Sequence, residues 1–275
     1  MKSSDPLSLE ETDRMRARVN QENHRPAGRL GQFVAELVAI RSPPGQPTFG
    51  VRRFPDGTLS LLFRLRQDGN ADLSVSGART LVLEKSVVPP PFVLQVRFKP
   101  GGAYPFFGGS TGELTNRMVG LEELWGREGS RLCEALAASR TDAERLDLVQ
   151  GALLQRLECE ALFEPGGAWM VRRAVSLVAS SREFERVDVL AKAIGSSTRH
   201  LRRTFRQAVG IGPKEFARIV RFQRILGGLR RRLDSSELAA HAGYYDQAHM
   251  ISEFREFAGT TPSVFLKQQQ PATDS

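Results

Sequence analysis

The pattern F-R-x-x-x-G-x-x-P-x-x-F occurs twice in this chain, first as Phe205-Arg206-Gln207-Ala208-Val209-Gly210-Ile211-Gly212-Pro213-Lys214-Glu215-Phe216 and then as Phe254-Arg255-Glu256-Phe257-Ala258-Gly259-Thr260-Thr261-Pro262-Ser263-Val264-Phe265. The copies begin at positions 205 and 254, an offset of 49 residues. A further match lies upstream, where Leu190-Ala191 and Gly195 correspond to Leu238-Ala239 and Gly243. Several matched anchors at a nearly constant offset indicate that one supersecondary unit is built twice.

Each copy predicts two helices joined by a glycine turn. The expected helices are Val187–Ile194 and Ser197–Ala208 in the first copy, and Ser236–Ala242 and Asp246–Phe257 in the second. Gly195 and Gly243 occupy the turns, where a positive φ costs little only for glycine. Ser197 and Asp246 are suitable N-caps for the second helix of each copy. Two helices joined in this way form a helix-turn-helix unit.

One continuous helix is predicted between the two units, from Pro213 to about Arg232. Apolar residues recur along it at spacings of three and four and give it a buried stripe, made of Ile219, Phe222, Leu226, Leu229 and Leu233. A helix of some twenty residues is about 30 Å long, and successive major-groove faces of DNA lie about 34 Å apart. A rigid helix of this length would let one chain place two recognition helices in adjacent grooves.

Positive charge is concentrated in the same region. The chain has a net charge of +8; residues 168–267 hold 18 Lys and Arg against 9 Asp and Glu, whereas residues 1–167 hold 21 of each. Five residues of the helix Ser197–Ala208 lie on the side opposite to its apolar residues; they are Thr198, Arg199, Arg202, Arg203 and Arg206. No acid lies between Ser196 and Gly212, which an ordinary solvated face would not explain. Arginines at one-turn spacing bind guanine edges or phosphates, so we predict DNA contacts here.

The region from Trp169 to Gln268 resembles the AraC/XylS family of bacterial transcription regulators. The motifs that carry the resemblance are Arg199-His200-Leu201-Arg202-Arg203-Thr204-Phe205, Gly212-Pro213-Lys214-Glu215-Phe216, Leu238-Ala239-Ala240-His241-Ala242-Gly243-Tyr244-Tyr245-Asp246-Gln247-Ala248-His249-Met250 and Gly259-Thr260-Thr261-Pro262. The resemblance implies two helix-turn-helix units on a connecting helix and an activity in promoter binding, with activation or repression. It also implies a protein that binds double-stranded DNA and, as an activator, RNA polymerase. We expect a cytoplasmic location because two cysteines cannot form a disulfide framework and the first thirty residues carry no apolar signal segment.

The resemblance also implies which residues read bases. These are Thr198, Arg199, Arg202 and Arg203 in the first unit and Gln247, Ala248, Ile251 and Ser252 in the second. The second unit departs from the family pattern at Ser252, where relatives often have arginine, and it carries Asp246, Glu253 and Glu256. We therefore expect the second unit to contribute less affinity and less base discrimination than the first.

The front half predicts a mixture of strands and helices. A flexible arm is expected at residues 1–27, an α+β regulatory domain at 28–164 and the double helix-turn-helix domain at 168–270, with the boundary at Glu164-Pro165-Gly166-Gly167. A short amphipathic helix is expected at Gln32–Ile40, a hairpin of Phe49–Phe54 and Thr58–Leu65 around Pro55-Asp56-Gly57, strands at Asp72–Ser76 and Phe92–Phe98, and helices after Thr115. The fold class is thus an α+β N-terminal domain followed by an all-α domain.

The function of the front domain is less defined by its sequence. Arg97-Phe98-Lys99-Pro100-Gly101-Gly102-Ala103 and Leu121-Glu122-Glu123-Leu124-Trp125-Gly126 resemble a sensor-like domain that precedes this module in some relatives, and the resemblance implies no ligand. Aromatic and aliphatic residues near the glycine-rich segments 101–112 either line a small-molecule pocket or form core; they are Phe92, Val96, Phe98, Tyr104, Phe106 and Phe107. We expect this domain to sense an effector, to form a homodimer, or to do both.

Catalytic and metal chemistry are not indicated. The glycine-rich segments lack the Gly-Lys-Ser/Thr ending of a phosphate loop, and the four histidines have no metal-ligand spacing. Cys133 and Cys159 form no C-x-x-C pair, and Cys159, between two glutamates, lacks the activator that a DNA-repair alkyltransferase would need. We expect no enzyme activity, no cofactor, no metal and no membrane segment. Two alternatives remain: an enzyme domain at 28–164 joined to a DNA module, and a non-specific architectural binder, which two dissimilar recognition helices disfavour.

Overall fold

An antiparallel sheet with helices on one side forms the front half, and helices alone form the rest. The structure, a computed structural model, describes residues 19–107, 111–159, 167–181, 186–231 and 233–269. The strands are β1 (Asn20–His24), β2 (Val34–Arg41), β3 (Phe49–Arg53), β4 (Ser60–Leu65), β5 (Ala71–Ser76), β6 (Leu83–Val87), β7 (Phe92–Phe98) and β8 (Met118–Gly120). The front helices are α1 (Tyr104–Phe107), α2 (Leu121–Trp125), α3 (Arg127–Ala138) and α4 (Asp142–Cys159), with 3-10 helices at Gly28–Gln32 and Thr111–Leu114.

Six strands form the main sheet in the order β1-β2-β7-β4-β5-β8, and β3 and β6 form a separate two-stranded sheet. The central strand β7 alternates buried and half-buried residues along its whole length, as its sequence predicts. Its buried residues Leu94 and Val96 share one face of the sheet with Leu61 and Phe63 of β4. α3 lies against that face, so the core of the front half sits between the sheet and the helices. The α+β prediction is confirmed.

Two local predictions for the front half are wrong. β2 occupies most of the region where a helix was expected at Gln32–Ile40, and it pairs with β1 and β7. Its partner β7 lies more than fifty positions away, and pairing within the sheet interior outweighs the local helical spacing of its apolar residues. β1 also lies inside the predicted arm 1–27, because pairing with β2 orders residues 20–24 as an edge strand.

The predicted hairpin around Pro55-Asp56-Gly57 is wrong in its pairing although its strands exist. β3 pairs with β6, and β4 pairs with β5 and β7. The turn itself forms: Gly57 has a φ of +65°, and the Asp56 carboxylate accepts a hydrogen bond from the Thr58 amide at 3.1 Å. It carries the chain from the small sheet to the large one rather than back along the same sheet.

Four aromatic residues of the front half pack against one another in its core; they are Phe98, Phe106, Phe107 and Trp125. The ring centroid of Phe98 lies 5.2 Å from that of Phe106 and 5.4 Å from that of Phe107, and Phe107 stacks on Trp125 at 6.1 Å. The Trp125 indole N–H donates to the Phe106 carbonyl at 2.7 Å. These contacts fill the space between sheet and helices. Of the glycine-rich segments, residues 108–110 lie outside the described residues.

The helical half follows the repeat closely. Its helices are α5 (Ala168–Ser180), α6 (Val187–Ala193), α7 (Thr198–Val209), α8 (Pro213–Arg230), α9 (Ser235–Ala242), α10 (Gln247–Ala258) and α11 (Pro262–Gln269). We call α7 the first recognition helix, α10 the second recognition helix and α8 the connecting helix. Ser197 and Asp246 cap the two recognition helices, and Gly210 and Gly259 end them in the left-handed conformation. Of the proposed domain boundary, residues 164–166 lie outside the described residues.

A buried carboxylate fixes the second recognition helix to the connecting helix. Glu253 is only 4% exposed, and it accepts hydrogen bonds from Arg218 at 3.1 Å, from Arg221 at 3.2 Å and from the Tyr244 hydroxyl. Burial acts to raise the pKa of Glu253, but the hydrogen bonds from Tyr244 and the two arginines outweigh it, so the pKa lies below its ordinary value. Burial and the Glu253 carboxylate raise the pKa of the Tyr244 hydroxyl. The cluster therefore holds a charged Glu253 and a neutral tyrosine at neutral pH.

Replacing Glu253 by Gln keeps the side-chain volume and removes the charge that Arg218 and Arg221 face. We expect the free energy of unfolding to fall by about 2 kcal/mol at pH 7, less than for a fully buried pair because both arginines remain partly in contact with water. The folded pKa of Glu253 is depressed, so its stabilisation is present above the unfolded pKa of about 4.3 and is lost as the pH falls through the folded pKa. Urea unfolding at several pH values should therefore show that the difference in the free energy of unfolding between the wild type and Glu253→Gln shrinks from about pH 5 downward.

Glu256→Gln is the matched control, because Glu256 also binds Arg218 but is 58% exposed. An exposed pair contributes about 0–1 kcal/mol, so this variant should lose much less stability. Equal losses in the two variants would contradict the role assigned to the buried carboxylate.

Candidate nucleic-acid interface

The first recognition helix presents an arginine-rich face to solvent. Its N-cap Ser197 accepts a hydrogen bond from the His200 amide at 3.2 Å, while Leu201 and Phe205 are fully buried beneath it. The predicted contact residues Arg199, Arg202, Arg203 and Arg206 are all exposed on the opposite side, and Thr198 is half-buried at the first turn. The structure thus brings the five predicted side chains of this unit onto one helix.

A basic groove lies between this face and the start of the connecting helix. It has a volume of about 770 Å³, and its charged lining residues are Arg202, Arg203, Arg206, Lys214, Glu215 and Arg218. Lys214 was not among the predicted site residues. The signal that could have found it is its place directly after Gly212-Pro213, where the connecting helix begins beside the end of the first recognition helix. A concave surface rich in cations suits a phosphate backbone.

The second recognition helix presents a mostly neutral face to solvent, with Arg255 as an exposed cation in its last turn. Asp246 caps it by accepting a hydrogen bond from the His249 amide at 2.7 Å, and Met250 and Phe254 form its buried side. The four predicted base-reading residues are all exposed; they are Gln247, Ala248, Ile251 and Ser252. The turn before this helix also holds Tyr245, which is 100% exposed and was not among the predicted site residues.

The three acids of the second unit lie in structural positions rather than on this face. Asp246 is a helix cap, Glu253 is buried against the connecting helix, and Glu256 pairs with Arg218. The expectation that acids weaken DNA binding by this unit stays a prediction for Asp246, which is exposed at the N-terminal end of the helix. What distinguishes the two units is that the first offers three more exposed arginines. At the repeat offset of 49, Arg199, Arg202 and Arg203 correspond to neutral residues, whereas Arg206 corresponds to the exposed Arg255.

The front half donates hydrogen bonds to the end of the first recognition helix. The Thr111 hydroxyl donates to the Gln207 carbonyl, and the Thr115 hydroxyl donates to the Gly210 carbonyl, both at 2.7 Å. The last carbonyl groups of a helix have no partner within the helix, so buried ones require an external donor. These two contacts join residues 95 or more positions apart and fix the helix end against the segment 111–115.

A second set of contacts holds the end of the second recognition helix. The Arg52 guanidinium donates to the Ala258 carbonyl, and the Gln223 side-chain amide donates to the Pro55 carbonyl. The Phe54 ring lies 5.9 Å from Phe222 and 5.6 Å from Phe265, between the connecting helix and α11. We call the contacts of Thr111 and Thr115 together with those of residues 52–55 the two-point clamp. It contacts both recognition helices at their C-terminal ends.

The described residues hold neither a metal-binding cluster nor a membrane-spanning helix. They contain no group of three or more His, Cys, Asp or Glu side chains arranged to hold a metal ion. Within the same residues, no helix combines the length and the apolar character needed to cross a membrane.

Two family models match separate parts of the chain. A helix-turn-helix domain model matches residues 190–268, which include both recognition helices, and a domain family of unknown function, DUF6597, matches residues 22–120. No curated protein shows significant similarity to the chain.

Three regulators of known structure are similar to this chain. An AraC-type transcriptional regulator from Chromobacterium violaceum is 25% identical, with 40% of this chain and 98% of that one covered and a TM-score of 0.35. The C-terminal domain of AraT, a response regulator from Geobacillus stearothermophilus, is 20% identical, with 38% and 90% covered and a TM-score of 0.36. ToxT from Vibrio cholerae O395 is 9% identical, with 92% and 98% covered and a TM-score of 0.42.

The family match and the geometry agree on the C-terminal region. The matched residues carry two capped recognition helices, a connecting helix between them and an exposed arginine face on the first. Residues 190–268 are therefore a helix-turn-helix domain of the AraC type, and the chain that carries them is a DNA-binding transcription regulator.

Proposed function

We propose that this regulator reads two successive major grooves with its two recognition helices, and that the first helix provides most of the affinity. The observation that carries the proposal is the exposed arginine face of the first recognition helix opposite its fully buried Leu201 and Phe205. Arg199, Arg202 and Arg203 then contact base edges or nearby phosphates. Arg206 and Lys214, on the wall of the basic groove, hold the phosphate backbone.

The spacing of the two units supports the same proposal. The connecting helix has 18 residues and is therefore about 27 Å long. Together with the helices that it carries, this length is comparable with the distance of about 34 Å between successive major-groove faces. Gln247, Ala248, Ile251 and Ser252 of the second helix then meet bases in the next groove, by amide and hydroxyl hydrogen bonds and by apolar contact with thymine methyl groups.

The front domain, proposed at 28–164, is the regulatory part in this account. Its contacts with both recognition helices support a role in setting their relative position, and we assign it effector sensing, self-association or both rather than enzymatic turnover. RNA polymerase is a further partner if the protein activates transcription. Turnover by a chain truncated before residue 168 would contradict the assignment.

The unequal roles of the two units predict unequal losses on mutation. Arg199→Ala/Arg203→Ala should weaken binding to a selected DNA site about 100-fold or more, because each bidentate arginine contact with a base contributes roughly 1–3 kcal/mol. Gln247→Ala/Ser252→Ala should cost about 10-fold or less, since neutral hydrogen bonds contribute about 1 kcal/mol each. Fluorescence anisotropy with the selected site and with a scrambled duplex measures both losses.

Arg131→Ala is the control, because Arg131 is an exposed arginine on α3 in the front half. It should leave the affinity for the selected site unchanged. A greater loss in Gln247→Ala/Ser252→Ala than in Arg199→Ala/Arg203→Ala would overturn the proposed ranking of the two units.

The two-point clamp predicts a strict preference for one half-site spacing. Inserting one base pair between half-sites rotates one relative to the other by about 35°. We expect this insertion to lower wild-type affinity about 10-fold, since the clamp prevents the second helix from following the rotation. Arg52→Ala/Phe54→Ala removes one clamp point and should reduce that penalty to about 3-fold, measured by anisotropy on a series of spacers.

Arg127→Ala, another exposed arginine of the front half, is the matched control and should retain the wild-type spacing profile. Circular dichroism of both variants verifies that the helices remain folded. An unchanged spacing profile in folded Arg52→Ala/Phe54→Ala would show that the connecting helix alone sets the separation.

A further inference from the structure

Arg218 lies where the basic groove meets the second recognition helix. It lines the groove together with Arg206 and Lys214, and it also pairs with Glu253 and Glu256 of the second recognition helix. Lys214 and Arg218 are four positions apart on the connecting helix, so their side chains are neighbours on one face. These two cations therefore form a line that leads from the first recognition helix to the second.

This face of the connecting helix points away from the front half. The Phe216 ring lies against Gly57, and the Gln223 amide donates to the Pro55 carbonyl, so both of these side chains face the front half. Positions 214 and 218 are each two residues from 216, which places them about 200° around the helix from it. The Arg218 side chain is 27% exposed. A DNA backbone that passes between two half-sites can therefore reach it.

The two ion pairs of Arg218 are unequal. Its Nε atom donates at 3.1 Å to Glu253, whose side chain is 4% exposed, and its guanidinium lies 4.9 Å from the centroid of the Phe257 ring. Its Nη2 atom donates to Glu256, whose side chain is 58% exposed. The buried carboxylate and the ring hold the guanidinium in place. The exposed pair with Glu256 is weak, so another anion can replace it.

Arg218 is the one cation of the basic groove that pairs with an acid in the part of the chain that the structure describes. The other cations of the lining have no carboxylate oxygen within 4.0 Å in that part; they are Arg202, Arg203, Arg206 and Lys214. The lining also contains Glu215. The cations outnumber this acid, so the groove attracts phosphate, and Glu256 already holds the donor at its end toward the second recognition helix.

We infer that Arg218 contacts the DNA backbone between the two half-sites, and that Glu256 occupies this contact in the DNA-free protein. On binding, a phosphate oxygen replaces the Glu256 carboxylate on Nη2, while Nε stays bonded to Glu253. Guanidinium groups are well suited to phosphate oxygens because their donors are planar and always charged. Glu256, left beside the DNA without its partner, lowers the affinity. The inference rests on the proposed function, since it requires both recognition helices on one duplex.

The exchange changes how tightly the chain holds DNA rather than which sequence it selects. Contacts with phosphate carry no base information, so the loss of one weakens binding to every duplex alike. The same guanidinium also stays bonded to the second recognition helix through Glu253. Arg218 therefore joins the backbone between the half-sites to the helix that reads the second one.

Anisotropy titrations of the full-length protein at several salt concentrations test the inference, with a selected site and a scrambled duplex. Arg218→Gln should lower the affinity for both duplexes about 5-fold to 10-fold, and the slope of log K against log salt concentration should fall by about 1, because one phosphate contact is lost. Glu256→Gln should raise the affinity for both about 3-fold, because the phosphate no longer competes with a carboxylate.

A double-mutant cycle separates a contact through Arg218 from a general effect of charge. If Glu256 acts through Arg218, Arg218→Gln/Glu256→Gln should bind DNA as Arg218→Gln alone does. Glu134→Gln removes the same charge from an exposed position of α3 in the front half and should bind as the wild type does. Circular dichroism verifies that the Arg218→Gln variants are folded.

A second measurement does not depend on the folding of Arg218→Gln. Single methylphosphonates, which each remove one phosphate charge, are placed in turn between the half-sites of the selected duplex. At the contacted position the wild type should lose affinity. The advantage of Glu256→Gln over the wild type should disappear there as well, since no charged phosphate remains to replace the carboxylate.

The inference is overturned if Glu256→Gln binds DNA no more tightly than the wild type, or if its advantage persists in the Arg218→Gln background and at every methylphosphonate position. Either result can occur while the wild type still prefers the selected duplex over the scrambled one. Failure of the exchange at Arg218 and failure of sequence reading are therefore distinguishable.

Discussion

Phe222 of the connecting helix contacts both the second recognition helix and the front half, and the placement of that recognition helix depends on it. It lies on the buried side of the connecting helix, 5.3 Å from Phe254 and 5.2 Å from Phe257 of the second recognition helix, and 5.9 Å from Phe54 of the front half. Each such aromatic contact adds roughly 0.5–1.5 kcal/mol beyond the burial of the ring. The Glu253 cluster fixes the rotation of the second recognition helix about its own axis, because Arg218 and Arg221 reach the carboxylate in only one rotation of that helix.

Residues of the front half provide hydrogen-bond donors for carbonyl groups at the C-terminal ends of both recognition helices. The C-terminal end of a helix carries unpaired carbonyl groups and a partial negative charge, and hydrogen-bond donors or cations stabilise it. Thr111 and Thr115 provide donors at the first recognition helix, and Arg52 provides a cation at the second. The capped N-terminal ends, where Arg199 and Gln247 lie, remain free of these contacts. The clamp thus stabilises the helices from the side opposite to the proposed DNA contacts.

The sequence predicts the helical half well because its signals are local. N-caps, left-handed glycines and one-turn spacing of apolar residues define each helix within a few positions, and the observed boundaries agree within about two residues. The arginines of the first recognition helix follow from the same periodicity. The structural role of Glu253 could not be predicted, because its partners lie 35 and 32 positions away and its place on the helix resembles an exposed one.

The sequence predicts the front half less well, because its strands pair with segments that lie far away in the chain. Whether Val34–Arg41 is a strand depends on β7, and whether Pro55-Asp56-Gly57 closes a hairpin depends on β6, which the sequence pattern did not reveal. Alternation alone marks Gln95 and Arg97 as outward-facing, whereas both are half-buried and bond to neighbouring strands, Gln95 to Ser60 and Arg97 to Glu36.

The central claim is that one chain reads two successive major grooves with helices held at a fixed separation. Methylation interference at guanine N7 on a DNA site selected from random sequence by the full-length protein tests it most directly. The account predicts two clusters of interfering guanines, centred about 10 base pairs apart, with the stronger cluster lost in Arg199→Ala/Arg203→Ala. A single cluster, or two clusters that move independently when the spacer changes, would contradict it.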